Sequence, residues 1–185
     1  MAILGCYPRL ILTRFTLICV LFSCANVFAL ASLKNVHRDV ANIERSGIPI
    51  VLIITSSTCH VCEQLKREIF EPMALNSDYD TRMTVRELML DSSENIIGFD
   101  GQPVSAAQLA GRYDATLTPS VLFLGAGGRE VAKRLIGISN IDYYGWYLDK
   151  SLARASKQIR DNRRTVLTLG KTAKAQHTQP QIQAN

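Results

Sequence analysis

Apolar positions fall at helical spacing in some stretches and in unbroken runs in others, and these two patterns alternate along the chain. Leu33, Val36, Val40 and Ile43 are spaced for one face of a helix over residues 33–45, which Ser46-Gly47 ends. Residues 50–54 (IVLII) form a continuous apolar run of strand length, the pattern of a strand covered on both faces. Polar residues 55–58 follow, then a helix through Cys62 to Phe70 with Val61, Leu65 and Ile69 as its inner stripe, closed or bent by Pro72. Residues 83–90 predict a second strand, and residues 91–104 a polar loop turning at Asp100-Gly101. Ser105 is placed to cap a short helix through Tyr113, with Ala106, Leu109 and Ala110 inward. Residues 120–124 and 130–136 predict strands joined by the Gly-rich turn 125–128, a hairpin. A last helix is expected over residues 141–159, with Tyr144, Leu148, Leu152 and Ile159 on one stripe. The order is helix, strand, helix, strand, helix, strand, strand, helix. It predicts an α/β domain with a central mixed sheet and helices on both faces.

The two ends read differently. Arg9 and Arg14 precede an uncharged run over residues 15–30, and Ala29-Leu30-Ala31 supplies a small-x-small cleavage site. Residues 1–31 are therefore expected to be an export signal, with the folded domain over residues 32–162; an uncleaved N-terminal anchor is the alternative. The run is shorter than the roughly 20 apolar residues a span needs, so no stable membrane span is expected after cleavage. Leu21-Phe22-Ser23-Cys24 faintly resembles a lipoprotein box, with an unusual Phe. Residues 163–185, rich in Thr, Gln, Lys and Ala, read as a basic, polar and disordered tail.

Charge adds little. The chain has 185 residues, 47% of them hydrophobic, and a formal net charge of +5. Without residues 1–31, 19 basic residues face 16 acidic ones, scattered rather than massed, and no nucleic-acid partner is implied. Cysteine usage does change the picture. Three of five cysteines (Cys6, Cys19, Cys24) lie within the expected signal, which leaves Cys59 and Cys62. One closely spaced pair cannot staple a disulfide scaffold, so the pair reads as chemical.

Two cysteines three apart, just after a buried strand and on the first turn of a helix, are placed for thiol–disulfide exchange. The helix N-terminus favours thiolate at Cys59, the attacking sulfur. Cys62, one turn on, resolves the mixed disulfide. His60 beside the nucleophile stabilises the thiolate when charged, and Val61 completes the motif. Zinc needs about four ligands, and the scattered His37, His60 and His177 form no second cluster. Haem attachment wants His after the second cysteine, where Glu63 stands. A two-thiolate Cu(I) carrier site is the alternative from another functional class; no resident metal is expected.

The strand IPIVLIITSST, then CHVC and the helix EQLKREIF, resembles the thioredoxin superfamily. Leu109-Ala110, Tyr113, Ala115, Thr118-Pro119-Ser120, VLFL, a Gly turn and Arg134-Leu135-Ile136-Gly137 resemble its second half. The likeness is greatest to the periplasmic, SoxW-like proteins and covers about residues 48–152. It implies a thioredoxin-like fold and a cis bond before Pro119. It further implies that the Thr118 backbone and Pro119 shape the substrate groove beside Cys59 and Cys62, and that Pro119 keeps metal ions from the thiols. It also implies a periplasmic oxidoreductase, most simply a reductase, that acts on protein thiols and disulfides, draws on a membrane electron donor and carries no organic cofactor. Two positions depart from thioredoxin itself: Thr58 stands where Trp precedes the first cysteine, and Ile53 where the strand carries a buried Asp. Tyr143, Tyr144, Trp146 and Tyr147 read as core packing with a half-buried rim, and Gly125–Gly128 as a turn rather than a phosphate loop.

Overall fold

A computed structural model describes residues 30–177, with side chains through residue 170. Strand β1 (Ile50–Thr55) lies at the centre, and all six of its residues are buried. Among the described residues the main sheet has the order β2-β1-β5-β6, with β2 spanning Thr84–Met89, β5 Ser120–Leu124 and β6 Glu130–Ile136. β1 runs parallel to β2 and antiparallel to β5, and β5 pairs antiparallel with β6. The sheet is mixed, as expected.

Alternate residues of the strands feed two separate cores, because successive strand side chains point to opposite faces. Ile50, Leu52, Ile54, Leu122 and Leu124 pack with α1 (Val36–Ser46) and, further along the chain, Ala106–Gly111. Val51, Ile53, Val121 and Phe123 pack with Leu65 and Phe70 of the cysteine-bearing helix and with Leu148 and Leu152 of the last helix. We number these helices α2 (His60–Leu65), α3 (Glu71–Ala74), α4 (Ala106–Gly111) and α5 (Tyr144–His177). Helices thus cover both faces. The cap at Ser105 forms with a reciprocal Gln108, a capping box.

Several expectations need correction. The first helix begins at Val36, not Leu33, because the Asn35 side chain accepts from the Arg38 amide at 2.8 Å and caps it there. Leu33 instead donates its amide to the Glu87 carbonyl (2.8 Å), and Ala31 accepts from the Glu87 amide (3.0 Å). Residues 31–33 therefore line the outer edge of β2. Leu30, just ahead of the expected boundary at Ser32, is 7% exposed and packs in the core. The rest of the expected signal lies outside the described residues.

Pro72 does not close its helix. A π turn over Lys66–Phe70 links α2 to α3, with Pro72 in the first turn of α3, where a missing amide is tolerated. The loop 91–104 contains a small hairpin, β3 (Ile96–Ile97) against β4 (Pro103–Val104), seated by buried Ile96. The last helix extends to His177, so residues 163–177, expected in the tail, are helical. Once a helix is nucleated each further residue adds a backbone bond without a new nucleus. Residues 178–185 lie outside the described residues. Of the four aromatics only Tyr144 is buried; Tyr143 precedes α5 and is exposed, and Trp146 and Tyr147 are exposed because they fall off the stripe of Leu148 and Leu152.

Gly128 ends the β5–β6 turn at φ +69, and a Cβ there would stand 2.1 Å from Cε1 of Phe99. Gly128→Ala therefore combines a left-handed L-residue with a collision in the core. A loss of roughly 1–3 kcal/mol is expected. An unchanged denaturant midpoint would show that the Phe99 loop gives way freely.

Candidate active site

The site grows from the C-terminal end of β1. Residues 56–58 leave the sheet and Cys59 caps the helix that starts at His60. The Cys59 backbone is extended (φ −88, ψ 92), its carbonyl accepts from the Cys62 amide at 3.0 Å, and its sulfur lies 3.1 Å from the same amide. The two sulfurs are bonded, with an S–S distance of 2.07 Å. Cys59 is half-buried and Cys62 has no exposed surface. One sulfur is thus accessible at a helix N-terminus and the other lies beneath it. A helix-terminal amide aimed at Cys59 favours its thiolate over its thiol once the bond is opened. The pair can exchange two electrons with a disulfide that reaches Cys59.

The other expected residues gather at the same end. His60 and Val61 are exposed on the first turn, Val61 at 45%. Ser120 pairs with Ile54 on one side and Ile136 on the other, which sets Thr118 and Pro119 level with the end of β1. The Thr118–Pro119 peptide bond is cis. The Pro119 carbonyl accepts from the Gly137 amide at 2.8 Å, and the Leu117 carbonyl accepts from the Ser120 hydroxyl at 2.7 Å. Exposed Leu117 and Ile136 add apolar surface at this end of the sheet.

Two polar groupings escaped sequence reasoning. The Ser57 amide donates to both oxygens of Asp91 at 3.0 Å, and its hydroxyl donates to Oδ2. Ser57 lies two residues after Thr55, and Asp91 two after Met89, the partner of Thr55 in the parallel pairing. That equal spacing was the available signal. The hydroxyl and then the amide of Ser57 hold the Asp91 carboxyl below its ordinary value. Its folded-state pKa is depressed, so its contribution is present above the ordinary carboxylate range and is lost as pH falls through the lowered value. Asp91→Asn is expected to loosen residues 56–58 and speed hydrogen exchange at the Ser57 amide several-fold, without unfolding the domain. Unchanged exchange would mean that the backbone alone holds this loop.

Beneath α2, Lys66 pairs with Glu63 at 2.7 Å and with Glu87 at 3.1 Å, and the Thr55 hydroxyl donates to Glu87 at 2.8 Å. Burial works to lower the Lys66 pKa, but hydrogen bonds and charge from Glu63 and Glu87 outweigh it and raise it. The ammonium ties the cysteine helix to β2. Among the described residues no group of three or more His, Cys, Asp or Glu is arranged to hold a metal ion.

Residues 36–152 match the family described as Thioredoxin-like domain. No curated protein matches the chain. Among solved structures, the oxidised mitochondrial thioredoxin 3 of Saccharomyces cerevisiae is 14% identical, over 67% of this chain and 93% of that one, at a TM-score of 0.45. A DsbH oxidoreductase is 17% identical over 68% and 86%, at 0.47. The reduced periplasmic thioredoxin SoxS of Paracoccus pantotrophus is 22% identical over 60% and 97%, at 0.39.

Proposed function

We propose, for a chain that belongs to the thioredoxin-like domain family, that it is an exported thiol–disulfide oxidoreductase working mainly as a protein-disulfide reductase. The observation that carries this reading is the asymmetry of the pair. Cys59 is half-buried at a helix N-terminus, and Cys62 is fully buried one turn on.

In the forward reaction the Cys59 thiolate attacks one sulfur of a substrate disulfide. A Cys59–substrate disulfide forms, and the other substrate sulfur leaves as thiolate. Cys62 then loses its proton and attacks Cys59 from below. The first substrate sulfur departs, the Cys59–Cys62 bond closes, and the substrate has gained the two electrons the dithiol lost. A dithiol donor, on this reading at a membrane, restores the reduced pair. Thr118, Pro119, His60 and Val61 border the approach to Cys59, and the apolar surface beside them suits an extended, unfolded chain. The likeness to SoxW-like periplasmic proteins rests on CHVC, Thr118-Pro119 and Arg134–Gly137. Export rests on residues 9–31 of the sequence.

The test is the redox equilibrium of the purified protein against graded thiol/disulfide buffers, scored by thiol trapping, together with reduction of insulin. A two-electron transition between roughly −270 and −120 mV is expected from a helix-terminal thiolate with His60 beside it. A transition near the lower end with rapid insulin reduction supports the reductase. One near the upper end makes the protein a disulfide donor. Stoichiometric Cu(I) binding lost in Cys59→Ser, with no exchange at any poise, overturns the redox reading in favour of a metal carrier.

A further inference from the structure

We propose that the pole of the domain opposite the disulfide docks on an anionic lipid bilayer surface through the basic end of α5. The polarity of the fold fixes what this pole contains. β1 starts at Ile50 and delivers Cys59 from its far end, so Gly47 and Pro49 mark the opposite pole. α5 begins near Gly137, at the same end of the sheet as the disulfide, and packs down β6; its Ser151 hydroxyl donates to the Lys133 carbonyl at 3.2 Å. At the far pole Arg163 donates to the Glu44 and Arg45 carbonyls, the latter at 3.0 Å. Residues 163–170 are all exposed; Val166 and Leu167 border a shallow groove with Ile43 and Ala126, and the helix runs on from there.

Charge divides the helix in two. Residues 144–153 carry one Lys and one Asp, whereas residues 154–177 carry seven lysines and arginines against Asp161 alone. Lys157 already pairs with that carboxylate at 2.6 Å. Positions 160, 164 and 167 follow four- and three-residue steps, so Arg160 and Arg164 share a stripe with Leu167. Val166, Leu167 and Leu169 are each more than 60% exposed. Apolar side chains set among cations on an exposed helix describe one that lies in a headgroup layer. With seven cations it rests on the bilayer and does not cross it.

Two further observations point the same way. A cleft of about 280 Å³ opens at this pole, lined by Arg82, Arg160 and Arg163 with Ser46, Thr81 and Ser156. Arg82 is engaged by Asp149 at 2.8 Å, whereas among the described residues Arg160 forms no side-chain hydrogen bond or ion pair and suits a headgroup phosphate. The chain also enters the domain from this pole. Residues 31–33 run parallel to β2, so Leu30 lies toward its start, and the uncharged residues 15–30 come directly before. A domain docked this way holds its disulfide away from the lipid, roughly a strand length or more above it.

The test places an indole on this stripe. Full-length protein carrying Trp146→Phe and Leu167→Trp is mixed with vesicles of phosphatidylcholine, with or without phosphatidylglycerol, that contain brominated acyl chains. Quenching of the introduced indole in the anionic vesicles alone, relieved by salt, is the expected result. Adding Arg160→Gln and Arg164→Gln lowers the docked fraction roughly 30-fold, at about 1 kcal/mol for each arginine. Equal quenching in neutral vesicles, or no effect of the arginine changes, overturns the proposal by assigning contact to the apolar N-terminal run. An emission shift that follows protein concentration without lipid overturns it in favour of a second copy of the chain. Thiol trapping of the Cys59–Cys62 pair reports folding in every variant.

Discussion

Cys62→Ser converts turnover into capture: incubated with a disulfide substrate, the variant accumulates a covalent adduct through Cys59 that excess dithiol releases. The expectation follows from the unequal positions of the two sulfurs. Cys59 keeps its place at the helix terminus, and with it the Cys62-position amide 3.1 Å from its sulfur, so the first displacement survives. The second displacement needs a sulfur beneath Cys59, and a serine oxygen does not form that bond. Insulin reduction should fall to the uncatalysed background in both single variants, but only Cys62→Ser should yield the adduct. Cys59→Ser leaves, among the described residues, only the Cys62 thiol, which has no exposed surface and is expected to react neither with substrate nor, at any comparable rate, with an alkylating reagent. Adduct formation through Cys62 in the Cys59→Ser protein would reverse the assigned roles.

The second large effect concerns stability. Asp39 on α1 is 4% exposed, and the Arg86 guanidinium on β2 donates to it from Nε at 2.7 Å and from Nη2 at 3.4 Å. Arg86 also donates to the Val85 carbonyl at 2.9 Å. Removing one partner of a buried pair leaves an uncompensated charge and costs about 3–5 kcal/mol. Arg86→Met is therefore expected to lower the melting temperature by about 10–15 °C. Adding Asp39→Leu to it should recover most of the loss, because the stranded charge goes with it. A melting curve for Arg86→Met that matches the parent would show that water reaches Asp39 after all. The pair is 47 residues apart in sequence.

That separation explains what could and could not be read in advance. The strands at residues 50–54 and 120–124 were legible because burial on both faces requires unbroken apolar runs, and residues 130–136 because a Gly-rich turn joins them to the second of these. The cysteine pair was legible because helix-terminal chemistry is local, with spacing that survives any tertiary arrangement. Asp39 with Arg86, and Lys66 with Glu87, depend on how helices settle over the sheet, and no local pattern encodes that. Ser57 with Asp91 is an intermediate case, readable only once the strands before them are known to pair in parallel. The extension of α5 to His177 left no apolar stripe to find, since residues 163–170 are all exposed and only Arg163 bonds to the body of the domain; the helix persists there mainly by propagation.

The segment over residues 31–33 has a bearing on how the protein must be handled. By accepting from and donating to Glu87, it occupies the row of amides and carbonyls that β2 would otherwise turn outward. Among the described strands of the main sheet, β6 is then left as the flank without a neighbour. A chain trimmed to begin at Lys34 would bare both flanks of a twisted sheet, each a template on which another molecule's strand can register. Such a product would keep its disulfide but lose Leu30 and Leu33 from its two cores and would precipitate on concentration, so residues 30–33 guard against polymerisation as well as filling the cores.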